Sequence, residues 1–244
     1  APIQNVGNVE NRGWDLSLNW QDRISEFDYG IKFNLSDVKN EVTYLGGTQE
    51  IIATNSIIRI RHPIYSIYGY ETEGIFQTPE EIEGAPSQFG SLQPGNIRYK
   101  DQLTVDTDGD GVMDAGDGVI NADDRVIIGD QFPRFTYGIN LNAGYKGFDL
   151  GIDLQGVGKR DILLGGDLVF PLFNAGKIQE WHVKECWSPE NTNAKFPVLA
   201  ATSFGSNDIQ ASDTWVFNGS YLRVRNVTFG YTLPKQLLGK IFIK

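Results

Sequence analysis

The chain has 244 residues, 40% of them hydrophobic and 12% aromatic, with a formal net charge of −10. That balance argues against nucleic-acid binding, which needs basic stripes. The lone Cys186 excludes an internal disulfide framework, and two histidines are too few for an ordinary zinc site. No stretch approaches the roughly 20 apolar residues of a membrane helix, which leaves a β-barrel open.

The sequence opens at Ala1 without a signal peptide and stops at Lys244 without a recognisable terminus, as a piece of a longer chain would. Trp14, Leu16, Leu18 and Trp20 alternate with Asp15, Ser17 and Asn19. After a short polar turn at Gln21–Glu26, Phe27, Tyr29, Ile31, Phe33 and Leu35 alternate with Asp28, Gly30, Lys32, Asn34 and Ser36. A period of two places successive side chains on opposite faces of a strand. A long segment follows, about 45–134, in which Thr78-Pro-Glu-Glu-Ile82 has the N-cap and N1 proline of a short helix. The alternation resumes with Phe135, Tyr137, Ile139, Leu141 and Ala143. It turns tightly at Tyr145-Lys-Gly-Phe148 and returns through Phe148, Leu150, Ile152 and Leu154. A second long segment, about 157–219, leads to Tyr221–Pro234, where Val227, Phe229, Tyr231 and Leu233 face away from Thr228, Gly230 and Thr232.

These strands predict an all-β, antiparallel chain. One face is apolar, with aromatics near the strand ends, and the other carries small polar residues. Two architectures fit: an outer-membrane barrel with lipid outside, or a secreted or cell-surface β-sandwich that binds glycans and is stabilised by calcium. Short turns alternating with very long loops favour the barrel, because compact domains seldom carry structureless loops beyond about 12–15 residues. The long segments are then extracellular loops.

Within the first long segment, Asp106-Thr-Asp-Gly-Asp-Gly-Val-Met-Asp-Ala-Gly-Asp117 has the spacing of a calcium loop. Asp106, Asp108 and Asp110 fall at positions 1, 3 and 5, and Gly111 at the sharp turn. Val112 offers its carbonyl, and Asp114 and Asp117 occupy positions 9 and 12. Such dense oxygen donors repel one another unless a cation lies between them, so a structural Ca2+ is expected. The last position is Asp rather than Glu, with shorter reach. A near-repeat, Gly116-Asp-Gly-Val-Ile-Asn-Ala122, lacks two ligands of a second register, and Asp123 or Asp124 could assist the first. No helix pattern flanks the loop, which argues against a regulatory EF-hand.

Other chemistry is sparse. His182 and Cys186 supply only two potential metal ligands, no nucleophile sits in a recognisable motif, and the glycine pairs lack the context of phosphate loops, so no catalysis is expected. Arg223 and Arg225 could steer an anionic substrate or pair with carboxylates on the wet face. Trp181, Trp187 and Trp215, with Tyr65 and Tyr68, could stack on sugar rings or pack the long loops.

Five segments together carry a resemblance. They are Asn5–Trp20 (NVGNVENRGWDLSLNW), Ile67–Ile82 (IYGYETEGIFQTPEEI), Pro94–Asp101 (PGNIRYKD), the acidic loop running into Asp124–Gly129 (DRVIIG), and Tyr221–Pro234. Their order and content resemble the SusC/RagA family of TonB-linked outer-membrane proteins across essentially the whole chain. The resemblance implies a C-terminal part of a 22-stranded barrel that also holds an N-terminal plug. It further implies import of oligosaccharides or peptides driven by TonB through N-terminal regions outside this chain, with a SusD-like lipoprotein capping the barrel. Strands from such a part cannot close by themselves, and open edges are not tolerated in lipid, so transport by this chain alone is not expected.

Overall fold

A computed structural model describes residues 7–166, 169–170, 172, 176–200 and 207–234. Asn5 and Val6 of the first family-like segment lie outside the described residues. The elements in chain order begin with β1 (Asn8–Ile24), β2 (Phe27–Tyr44), β3 (Glu50–Ile52), β4 (Ser56–Arg59), β5 (Ser66–Tyr70) and β6 (Thr72–Ile75). Helix α1 (Pro79–Glu83), β7 (Ile97–Tyr99), β8 (Arg125–Gly129), β9 (Arg134–Tyr145), β10 (Phe148–Lys159) and β11 (Asp161–Leu163) come next. Helix α2 (Glu180–Glu185), β12 (Val216–Asn218) and β13 (Tyr221–Tyr231) complete the series. They divide between two compact units: one holds the long strands, and the other is built from Leu45–Gln131 and Asp161–Phe217.

The first unit is one antiparallel sheet in the order β1-β2-β9-β10-β13. Its hairpins are tighter and its strands longer than the pattern suggested. β1 runs to Ile24 and β2 begins at Phe27, so the turn shrinks from Gln21–Glu26 to Ser25-Glu26, with Ser25 at φ 59. Pairing through Asp22–Tyr29 and Arg23–Asp28 absorbs the polar residues into the ladder. The β9–β10 turn places both Lys146 (φ 47) and Gly147 (φ 87) in the left-handed region. Two such residues match the twist of adjoining strands, and glycine takes up the second without steric cost. Among the described residues the sheet stays open, with β1 and β13 as its edges.

The second unit gives the long segments their own structure. Sheets β3-β4-β5-β8, β6-β7 and β11-β12 surround a core of Tyr70, Ile97, Tyr99, Ile120, Val169, Cys186, Phe196 and Trp215. Helix α1 starts where its cap predicts: Thr78 Oγ1 accepts from the Glu81 N–H at 3.4 Å, with Pro79 in the first turn. A buried carboxylate organises the core. Asp208, 5% exposed, accepts from Asn96 Nδ2 at 2.6 Å, the Ile97 N–H at 2.8 Å and Asn207 Nδ2 at 3.2 Å. Its backbone carbonyl accepts from Trp215 Nε1 at 2.8 Å.

Candidate functional site

Register places the apolar residues of the long strands in transverse rows. One row reads Trp20, Ile31, Leu141, Ile152 and Val227. The next reads Leu18, Phe33, Ile139, Leu154 and Val224. The row beside the short turns is Ile24, Phe27, Tyr145, Phe148 and Tyr231, and there Phe148 packs against Tyr231 with centroids 4.4 Å apart. These side chains face outward: Trp20 is 62% exposed and Val227 59%. A sandwich requires these rows to be buried, and among the described residues of this unit nothing covers them.

Charge bounds the apolar band at both ends. Beside the short turns Lys146 Nζ lies 3.3 Å from Glu26. At the far end Arg134 makes a two-pronged contact with Asp37, its Nη2 2.6 Å from Oδ2, and Lys39 pairs with Glu41 beyond it. From Phe27 to Leu35 the band extends roughly 26 Å along the strand, or about 20 Å in height at a tilt of about 40°. Trp14, one pair further, carries it to about 25 Å.

The opposite face is polar and concave, with a cavity of about 1070 Å³ lined by Asp15, Ser17, Asn34, Asn140, Asp153, Gln155, Arg225 and Asn226, among others. Its side chains bond across strands, Ser17 Oγ to Asn34 Oδ1 at 2.7 Å and Asn140 Nδ2 to Asp153 Oδ1 at 2.6 Å. The two arginines of β13 differ. Arg223 Nη2 donates to Gln155 Oε1 at 3.0 Å. Arg225 falls at a β-bulge, because Asp153 pairs with Asn226 and Leu154 with Val224. The sequence signal for this bulge was the doublet Arg225-Asn226, across which the apolar frame switches from Leu222 and Val224 to Val227 and Phe229.

The acidic loop lies in the second unit. Its base is closed by Val105 and Ala115, whose backbones exchange bonds at 2.9 Å and 3.1 Å. Inside it, ligand atoms of Asp106, Asp108 and Asp110 lie within 4.8 Å of one another. Asp106 accepts from the Gly109 N–H at 2.7 Å and the Gly111 N–H at 2.8 Å, and these bonds hold its carboxyl below the usual range. Gly109 (φ 79) and Gly111 (φ 88) supply the left-handed backbone of the turn. Val112 is at the rim, its N–H donating to Asp110 at 2.8 Å. Asp114 turns to Thr107, accepting from its N–H at 3.0 Å and its hydroxyl at 2.6 Å. Asp117 lies past the Val105–Ala115 closure and accepts from the Val119 N–H at 2.8 Å. The structure therefore groups three of the six predicted ligands. Asp124 is buried and caps its own turn through the Asn121 N–H at 2.7 Å, so it is committed elsewhere.

The loop aromatics separate by depth. Trp215, 1% exposed, stacks on Phe196 at 5.5 Å, and Trp187, 9% exposed, donates from Nε1 to Gln77 at 2.9 Å. Both pack the loops. Trp181 is half-buried beside a cavity of about 320 Å³ shared with Phe196, Phe217, Lys195 and Glu185. His182 uses both ring nitrogens structurally, Nδ1 accepting from the Gln179 N–H at 2.9 Å and Nε2 donating to the Val169 carbonyl at 2.8 Å. Burial pushes the Cys186 thiol up to about 12.

No family model matches the chain. It is 31% identical, over 98% of its length, to TonB-dependent receptor P3 of Formosa agariphila, and covers 23% of that protein. It is 27% identical over its whole length to TonB-dependent receptor P26 of the same organism. It is 24% identical over 94% of its length to TonB-dependent receptor SusC of Bacteroides thetaiotaomicron, covering 21% of it. The chain thus spans about a quarter of the length of the curated relatives it matches. Among solved structures, the RagAB peptide transporter superposes with a TM-score of 0.71 over 98% of this chain and 24% of the other, at 22% identity. The RagAB peptide importer in its closed-closed state gives 0.69 over 96% at 24% identity. These superpositions establish the fold, an antiparallel all-β arrangement shared with a segment of each of these chains.

Proposed function

We propose that this chain, homologous over nearly its whole length to a segment of the SusC-like TonB-dependent receptors, supplies barrel wall and extracellular loops to an outer-membrane nutrient importer. The observation that carries this reading is the five-stranded sheet with one exposed apolar face, bounded by charge at both ends, and one wet concave face. Lipid suits the first face and an aqueous passage the second. The segment presents no catalytic group in this reading. The imported nutrient is an oligosaccharide or a peptide. A SusD-like lipoprotein meets the loop unit from outside, and TonB acts through regions of the full-length protein beyond this chain. The acidic loop holds a divalent cation, with calcium favoured by its all-oxygen ligands, and braces the loop unit.

Fractionation of the native cells tests this. An antibody raised against the chain is expected to detect a protein much larger than 27.2 kDa in the outer-membrane fraction. A band at 27.2 kDa in a soluble or secreted fraction overturns the reading. Loss of nutrient uptake on deletion of the gene then identifies the substrate class.

A further inference from the structure

The bulge in β13 singles out one side chain. Bulges interrupt a ladder and re-aim the residues beside them. Here the interruption leaves Arg225 without a residue opposite it and places Arg225 and Asn226 together on the polar concavity. Arg223, two residues earlier, is bonded to Gln155 and lies over the Tyr221 ring. The Arg225 side chain makes no hydrogen bond or ion pair among the described residues. The carboxylates of the same concavity do not serve it. Asp153 is held by Asn140, and Asp15 is on β1, four strand spacings or roughly 19 Å away.

A guanidinium keeps its charge at every physiological pH, is weakly hydrated, and matches a carboxylate with two parallel N–H donors. We propose that Arg225 is a carboxylate-binding residue of the polar face, delivered there by the bulge. The proposal rests on the importer reading only in treating that face as the wall of a passage. The carboxylate has two possible sources, a solute in the passage or another segment of the full-length protein.

The test uses the full-length receptor in detergent, as wild type, Arg225→Gln, Arg223→Gln and Arg225→Lys. Calorimetry with triglutamate and triglutamine reads the solute source, and the thermal unfolding midpoint reads the internal one. For a solute, Arg225→Gln weakens triglutamate about tenfold or more, spares triglutamine, and exceeds the effect of Arg223→Gln. For an internal carboxylate, Arg225→Gln lowers the unfolding midpoint and leaves both peptides unchanged. In either case Arg225→Lys does not restore wild-type behaviour. Equal loss for both peptides, full rescue by lysine, or no change in binding and midpoint overturns the proposal. None of these readouts requires transport, so failure of the Arg225 proposal and failure of the importer reading are told apart.

Discussion

Leu154 of β10 pairs with Val224 of β13 while its neighbour Asp153 pairs with Asn226, so the ladder skips Arg225. Without the skip, alternation would carry Val227, Phe229 and Tyr231 to the polar face, because a shift of one residue flips every side chain beyond it. The bulge keeps a single apolar face along β13.

Deletions test this frame. Removing Arg225 leaves Val224 followed directly by Asn226, an unbroken alternation, and the full-length protein is expected to assemble as a heat-modifiable barrel. Removing Thr228 from the regular stretch turns Phe229 and Tyr231 inward and is expected to abolish assembly. Migration of unheated and heated samples on denaturing gels separates the two outcomes.

Depth within the apolar band sets the cost of a charge. Val227 lies near mid-height, in the row with Ile31, Leu141 and Ile152, whereas Tyr231 lies in the row beside the short turns. Val227→Arg is expected to destabilise the barrel by about 2–4 kcal/mol and Tyr231→Arg by roughly 0–1 kcal/mol. Denaturant unfolding in lipid vesicles measures both. Equal costs would contradict a lipid-facing band.

The acidic loop predicts a specific hierarchy. Asp106, Asp108 and Asp110 converge, whereas Asp117 lies beyond the Val105–Ala115 closure. Asp108→Asn is expected to weaken calcium binding roughly tenfold by removing one charged ligand of three, and Asp117→Asn to leave it unchanged. Because the backbone N–H groups of Gly111 and Gly109 hold Asp106 below its ordinary carboxyl value, its contribution to binding is expected to persist on mild acidification and to be lost only on stronger acidification. Calcium titration calorimetry on the full-length protein, repeated at falling pH, checks both points.

Much of the sheet was legible because each strand obeys a period of two, and Trp14–Trp20, Phe27–Leu35, Phe135–Ala143 and Phe148–Leu154 each keep one parity throughout. β13 was legible only from Val227, since the bulge is a register event that depends on a neighbouring strand. The acidic residues expected as ligands divide in the same way. Asp106, Asp108 and Asp110 are local and follow from spacing, whereas Asp114 and Asp117 depend on where the loop closes, which the Val105–Ala115 bridge decides. The loop unit was the least legible: Asp208 meets Asn96 and Ile97 across more than a hundred residues of chain, and no periodicity announces such a contact.

That contact gives the last prediction. Burial is the main cause that raises the Asp208 carboxyl from 3.8 to about 6, against the lowering effect of the Ile97, Asn96 and Asn207 donors. Its folded value lies above its unfolded value, so the folded state binds the proton more tightly. The ionised form therefore costs stability above about pH 6, and that cost is relieved as pH falls from 6 toward 3.8. The full rise corresponds to roughly 3 kcal/mol. Chemical denaturation of the full-length protein, followed through tryptophan fluorescence, is expected to show a relative stabilising contribution at pH 5 over pH 7.5. In Asp208→Asn this contribution disappears, because the amide has no charge to desolvate. If the wild type and Asp208→Asn share the same pH slope between 4 and 7, Asp208 is not the titrating group.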